Sequence, residues 1–231
     1  MKIAIMQPYF FPYIGYWQLI HAVDDFVIFD DVNFIKRGWI NRNNILLNNQ
    51  KYLFSLKLAN ASQNKLINQT KLLDEPNRIK LLDLFKRAYF KAPHFGQMYP
   101  LLEDIINNPE NELGKYVGHS IKKIAEYLGI QTRIVFSSEV EKDNLKTGQD
   151  KIIEICKTLH GTTYINPIGG IELYDKEKFR QEGIELLFIR RSDIRYKQLE
   201  EPFIADLSIL DVLIFNDKEV VVSLLDKYSL I

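Results

Sequence analysis

The opening of the chain is the part that most restricts its fold. Lys2-Ile3-Ala4-Ile5-Met6 is a short continuous apolar run, the pattern of a strand covered on both faces rather than one with a wet side. Pro8, Pro12 and Gly15 then force a loop over Gln7–Gly15. From Tyr16 to Val23 the spacing is helical, with Trp17, Ile20 and Val23 on one face. Phe26–Phe29 is a second apolar run, ending at Asp30-Asp31. Strand, loop, helix, strand is the βαβ unit of a parallel sheet, so the chain reads as α/β, Rossmann-like, with a mostly parallel sheet.

The remainder is consistent with that start. Residues 32–44 are polar, basic and aromatic and read as a loop. Ile45–Leu47 and Lys51–Leu56 flank Asn48-Asn49-Gln50 as a hairpin. From Asp74 the period changes to helical over 76–91, 96–107 and 112–128, punctuated by Pro76, Pro93, Pro100 and Pro109. Strand and helix then alternate again: strand Thr132–Phe136, helix Asp150–Leu159, strand Thr162–Ile165, a loop at Pro167–Gly170, helix Lys176–Glu182 and strand Ile184–Ile189. Two helices close the chain, at about 208–215 and 218–227. The organisation expected is one domain over 1–231, with an α/β core at about 1–58 and 130–231 and a helical insert at about 74–129.

Composition excludes several classes. With 46% hydrophobic residues over 231 positions the chain can bury a sizeable core, which rules out a disordered chain or a stapled mini-protein. Lys plus Arg and Asp plus Glu are both 30, so there is no cationic surplus for a dedicated binder of duplex nucleic acid. A single cysteine, Cys156, permits no internal disulfide and points to a reducing compartment. Its place in the apolar stretch IIEICKTL marks it as a core residue rather than a nucleophile. No uncharged apolar stretch approaches the ~18 residues of a membrane span, and a cytoplasmic location is expected. The four histidines are scattered, so no structural metal is expected.

Ligands of an open parallel sheet bind outside the carboxyl ends of its strands. That rule collects Gln7–Gly15, Asp30–Asn43, Ser137–Thr147 and Asn166–Gly170 on one edge. The first segment leads into a helix and suits an anion, although it matches neither GxGxxG nor GxxxxGK[ST]. Gln7, Tyr9 and Gly15 are its candidate binding residues. The second is the densest, with Asp30, Asp31, Lys36, Arg37, Trp39, Asn41, Arg42 and Asn43. Arginine forks grip phosphate or carboxylate, an aromatic ring stacks on a base or sugar face, and an aspartate at a strand end can act as a base. Tyr164, Asn166, Gly169 and Gly170 form a third candidate group. A fourth, Tyr196-Lys197-Gln198 with Phe203 and Leu207–Asp211, reads as structural, with Ser208 as a helix cap and Asp211 three positions on.

MKIAIMQPYFFPYIGYWQLI, the WINRN of Trp39–Asn43, TTYINPIGG and the terminal YKQ…F…LSILDVLIFN together resemble the WbqC-like family, from Met1 to about Asn216. The resemblance implies a bacterial protein of surface-polysaccharide biosynthesis, especially of O-antigen and its amino sugars. Within that pathway the residues suggest transfer of an acyl or aminoacyl group to the amino group of a nucleotide-linked sugar. Asp30 or Asp31 would be the base, Asn41 and Asn43 oxyanion donors, Lys36, Arg37 and Arg42 an anion clamp, and Gln7 an orienting group. The cofactor is left open, with ATP or an activated acyl donor as the candidates. Two alternatives stand beside it: an ATP-using ligase or nucleotidyltransferase-like enzyme, and a non-catalytic binding protein. The run Tyr9-Phe10-Phe11 suggests an aromatic surface for a homodimer.

Overall fold

The computed structural model describes residues 1–73, 76–199 and 201–231. The sheet expected from the apolar runs is present, with strands β1 (Lys2–Met6) and β2 (Asp25–Ile28) joined through helix α1 (Ile14–His21). They pair in parallel, Ile3 beside Asp25 and Met6 beside Ile28. A long excursion follows: hairpin β3 (Arg42–Leu47) and β4 (Gln50–Ser55), a small pair β5 (Leu58–Ala59) and β6 (Lys71–Leu72), then helices α2 (Pro76–Tyr89), α3 (Phe95–Ile106) and α4 (Leu113–Leu128). The expected start of the helical insert, Asp74, lies outside the described residues.

The chain re-enters the sheet as β7 (Arg133–Phe136), beside β2. It continues through α5 (Gly148–Thr158), β8 (Thr163–Pro167), α6 (Lys176–Gln181), β9 (Glu185–Arg191), α7 (Ile209–Phe215), α8 (Lys218–Leu225) and β10 (Tyr228–Leu230). Across the sheet the order is β10-β9-β8-β1-β2-β7. All pairings are parallel except that of β10, which runs antiparallel to β9. Counted in chain order among themselves, the six strands lie 6-5-4-1-2-3. This is the order of doubly wound sheets that bind dinucleotides, and the fold is Rossmann-like.

Each face of the sheet has its own core. Ile3, Ile5, Val27, Tyr164 and Phe188 pack against Ile152, Ile155 and Cys156 of α5 and Phe179 of α6. The other face continues through Trp17 and Ile20 of α1 into the hairpin and helices, including Phe54, Phe85, Tyr116 and Leu213. Burial pushes the Cys156 thiol up to about 12, which keeps it protonated and inert at neutral pH.

The three successive aromatics after β1 have divided roles. Phe10 and Phe11 are fully buried, and Phe11 lies against Phe85 with ring centres 5.9 Å apart. The aromatic surface expected to support a homodimer is therefore core at these two positions, and Tyr9 alone is left partly open. The hairpin also begins earlier than expected, so Arg42 and Asn43 are strand residues rather than loop. Asn48 and Asn49, both with positive φ, make its two-residue turn, as short asparagine side chains permit.

Helix α4 crosses close to the sheet at Gly118. A Cβ built there would lie 2.5 Å from Cζ of Phe136. Gly118→Ala is expected to lower the unfolding free energy by about 1–3 kcal/mol through this overpacking. Urea denaturation checks it, and an unchanged midpoint would refute the close approach. Among the described residues no helix is long and apolar enough to cross a membrane.

Candidate functional site

In a doubly wound sheet the ligand crevice opens where chain connections leave two neighbouring strands in opposite directions. Here that point lies between β1, which leads to β2, and β8, which leads to β9 on the other side. A cavity of about 540 Å³ opens there. That volume suits a small organic ligand. Its walls come from the β1 loop (Tyr9, Tyr13), from α1 (Gly15, Gln18), and from Trp39 and Asn43. The carboxyl ends of β8 and β9 supply Pro167, Ile168, Gly169, Ile189, Arg190 and Arg191, and Asp206 closes the ring.

Local sequence explains this shape. Tyr13 precedes α1 and no side chain caps the helix. A Cβ on Gly15 would sit 2.5 Å from the Tyr13 ring, so glycine lets that ring fold over the helix start. Burial raises the hydroxyl pKa of Tyr13, an effect that Arg191 offsets in part and Asp206 reinforces. Burial likewise raises that of Tyr9. Both phenols therefore remain protonated donors at neutral pH. The Arg191 guanidinium lies over the Tyr13 ring at 5.6 Å and pairs with Asp206 at 2.6 Å. Arg190 is exposed and its side chain has no ion pair or hydrogen bond among the described residues.

Of the residues singled out in the sequence, Tyr9, Gly15, Trp39, Asn43 and Gly169 meet in this cavity. Asn43 is fully engaged. Its Nδ2 donates to the carbonyls of Phe10 (3.3 Å) and Phe11 (2.8 Å), and its Oδ1 accepts from the amide of Asn44. It fixes the turn in which Phe11 takes a φ of 46°. Asn41 holds Leu56 through paired hydrogen bonds. Arg42 donates to the carbonyls of Arg37 and Gly38 and lies 5.8 Å from the Trp39 ring centre. It braces the turn that presents Trp39. Lys36 and Arg37 are exposed and outside the cavity. Gln7 is half-buried at the end of β1, where its carbonyl accepts from the Tyr16 hydroxyl at 2.9 Å.

Asp30 and Asp31 stand in a different group, at the ends of β2 and β7, and neither lines the cavity. Asp30 is buried and accepts from the Ser137 hydroxyl (3.0 Å), the Ser138 amide (3.0 Å) and the Ser138 hydroxyl (2.6 Å). Asp31 pairs with Lys142 at 2.9 Å and Lys151 at 3.0 Å, both nearly inaccessible. Burial by itself would raise its pKa. Hydrogen bonds from Ser137, Lys142 and Lys151 outweigh that and hold its carboxyl below the usual range.

The third group faces the other way. Tyr164 and Asn166 alternate with Ile165 and Pro167 along β8, and the Tyr164 ring packs in the α5–α6 core. Its hydroxyl donates to Asn166 Oδ1 at 3.1 Å. A Cβ on Gly170 would lie 2.2 Å from Asn166 Nδ2, so this glycine makes room for a buried amide. The loop expected at Pro167–Gly170 is strand end followed by a 3-10 turn over Ile168–Leu173.

The cavity residues that the motifs missed are Arg190, Arg191 and Asp206. The same strand-end rule, applied to the apolar run Ile184–Ile189, points directly at the two arginines. Asp206 has no sequence signal, because it belongs to the irregular strap between β9 and α7. That strap is knotted to the body through Asp211, which is fully buried. Asp211 accepts from Tyr89 (3.0 Å), Tyr196 (2.9 Å) and Gln198 (2.9 Å). Ser208 caps α7 as expected, its hydroxyl accepting from the Leu210 amide at 3.2 Å. Asp211 gathers the strap rather than closing a capping box.

Among the described residues, no three His, Cys, Asp or Glu gather in a group that could hold a metal ion. An uncharacterized protein of Mycobacterium tuberculosis is 29% identical over 219 residues, covering 93% of each chain. No solved structure matches. The model of the WbqC-like protein family matches residues 7–222. That span takes in the β1 loop, the WINRN strand, both arginines and the strap with its Asp211 knot, and the chain belongs to the WbqC-like protein family.

Proposed function

We propose that the protein is an enzyme of bacterial surface-polysaccharide biosynthesis that transfers an acyl or aminoacyl group to the amino group of a nucleotide-linked amino sugar. The observation that carries this reading is the cavity at the reversal point of the sheet, with Tyr9, Tyr13 and Trp39 on its walls and the unpaired Arg190 at its rim. Aromatic rings suit the faces of a base and a sugar. An arginine fork and an uncapped helix start suit a diphosphate. Family membership supports the pathway.

In such a transfer the sugar nitrogen forms a bond to the acyl carbon, and the bond from that carbon to the donor's leaving group breaks. One ammonium proton is released to solvent before the attack, and a second leaves the nitrogen of the tetrahedral adduct with the departing thiolate or phosphate. The donor is an activated acyl group, a thioester or an acyl phosphate. The protein contributes mainly alignment of the two reactants, which can remove much of the barrier. Asp30 and Asp31 do not line the cavity, and their serine and lysine partners already occupy them.

Calorimetric titration with UDP-, dTDP- and GDP-linked sugars, acyl-CoA and ATP tests the reading. Binding of one nucleotide-linked sugar is expected, and Arg190→Ala should weaken it about tenfold or more by removing a charge-assisted contact. The variant should fold normally, since this guanidinium is exposed and unpaired. Binding of ATP with none of the sugars would turn the assignment toward a ligase or nucleotidyl transfer.

A further inference from the structure

The geometry points to Asp206 as the residue that recognises the amino group of the ligand, making the cavity selective for a sugar nucleotide that carries an ammonium group over its hydroxyl counterpart, which carries only the diphosphate charge. This rests on the proposed nucleotide-sugar reading and deepens it.

Among the described residues that line the cavity, Asp206 is the sole carboxylate. Its use is incomplete. Arg191 Nη1 takes Oδ1 at 2.6 Å, and Oδ2 has no partner among the described residues. Arg191 is itself fixed from a second side, over the Tyr13 ring. Among the described residues the cavity therefore offers one cation without a protein partner, Arg190, and one carboxylate oxygen open to solvent, on Asp206. The diphosphate of a hydroxyl sugar would engage only the first. A sugar diphosphate with an ammonium group would satisfy both, through a charge-assisted hydrogen bond to Oδ2.

The position of Asp206 is built into the fold. Gln198 clasps Ile204 in both directions, Nε2 to its carbonyl and its amide to Oε1, each at 2.8 Å. Two residues after Asp206, the Ser208 amide donates to the Asn44 carbonyl at 2.8 Å, and the Ile209 amide to the Pro12 carbonyl at 3.0 Å. Between these anchors Asp206 adopts a φ of 59°, a region that non-glycine residues seldom occupy. The strap thus holds a carboxylate beside the cavity in a left-handed conformation that aspartate accommodates better than most residues.

The test compares matched ligand pairs: UDP-glucosamine with UDP-glucose, and a dTDP-linked amino-dideoxyhexose with its hydroxyl counterpart. Affinities are measured by calorimetry on the full chain and on D206N and D206E. Asparagine tolerates positive φ as aspartate does, so D206N should fold. The wild type is expected to favour the amino member of one pair by about tenfold or more. D206N should lose that preference, with the amino member weakened more than the hydroxyl member, and D206E should restore part of it. Equal binding of amino and hydroxyl members by the wild type, or an equal loss of both in D206N, would overturn the assignment of Asp206 and leave the nucleotide-sugar reading standing. Failure of every nucleotide-linked sugar to bind would overturn both.

Discussion

Replacing Asp31 with alanine is expected to lower the unfolding free energy by about 3–5 kcal/mol. The lysine ammoniums of Lys142 and Lys151 both meet its carboxylate, and their side chains are only 2% and 8% exposed. Without Asp31 two cations remain in a pocket that water hardly reaches. Asp30 cannot replace it, because Ser137 and Ser138 already hold its oxygens. The Lys142 ammonium would keep the carbonyls of Ser137 and Val140, and Lys151 the Asp31 carbonyl and the face of Phe29. Those contacts stabilise a positive charge much less than a carboxylate does. Lys151→Met should cost less than Asp31→Ala, since Asp31 retains Lys142 and the apolar stem is replaced in kind. Denaturant unfolding measures both. If Asp31→Ala unfolds within 1 kcal/mol of the wild type (about the cost of a solvated surface pair), the cluster is not structural. A variant with normal stability and no turnover would return Asp31 to the chemistry.

The second large effect belongs to Asp211. Burial raises its pKa to about 6, against three hydrogen bonds, from Tyr196, Tyr89 and Gln198, that lower it. Among the described residues no cation is paired with it in this knot. A carboxyl whose pKa is higher in the folded state holds a proton there that the unfolded chain has already released. Its contribution to stability is therefore complete below the unfolded value near 4 and is lost as pH rises through about 6. The two values imply a change of about 3 kcal/mol across that interval. Groups such as Asp31 shift the other way, so the wild-type curve alone mixes the two effects. Asp211→Asn removes one titration and isolates it. Relative to the wild type, the variant should gain about 3 kcal/mol between pH ~4 and pH ~7.5, read from denaturant unfolding at each. An equal difference at both ends would contradict the burial of an uncompensated carboxylate.

Much of the fold is legible from the sequence. The runs Lys2–Met6 and Phe26–Phe29 lack the alternation of a half-exposed strand, and both are covered on two faces in the sheet. Helical period and proline punctuation likewise locate α2, α3 and α4 to within a few residues. What escapes such reading is β10, three residues long and antiparallel at an edge, where no apolar pattern is required. The small β5–β6 pair escapes for the same reason.

The site was legible at the level of an edge. The strand-end rule collects Tyr9, Gly15, Trp39 and Gly169, which line one cavity, together with Asp30 and Asp31, which follow β2, on the far side of β1 from the reversal point. Position along the edge depends on strand order, and local sequence does not encode strand order. The side of the sheet is equally hidden: Tyr164 and Asn166 project from β8 opposite to Pro167, a parity visible in the sequence but without a reference face. Arg42 and Asn43, picked out by the density of polar side chains, support turns, whereas the exposed Arg190, with no motif around it, lines the cavity without a side-chain partner among the described residues.

Strand order also sets a timetable. β1 lies between β2 and β8, with Lys2 beside Thr163. A ribosome adding about 5–20 residues per second needs roughly 7–27 seconds to travel from one of these neighbours to the other. Throughout that interval the apolar edge of β1 has no strand to pair with on its β8 side. Newly made chains should therefore depend on holding chaperones more than a sheet assembled from consecutive strands, and slowing translation within residues 29–160 should lower the soluble yield more than slowing it after β8.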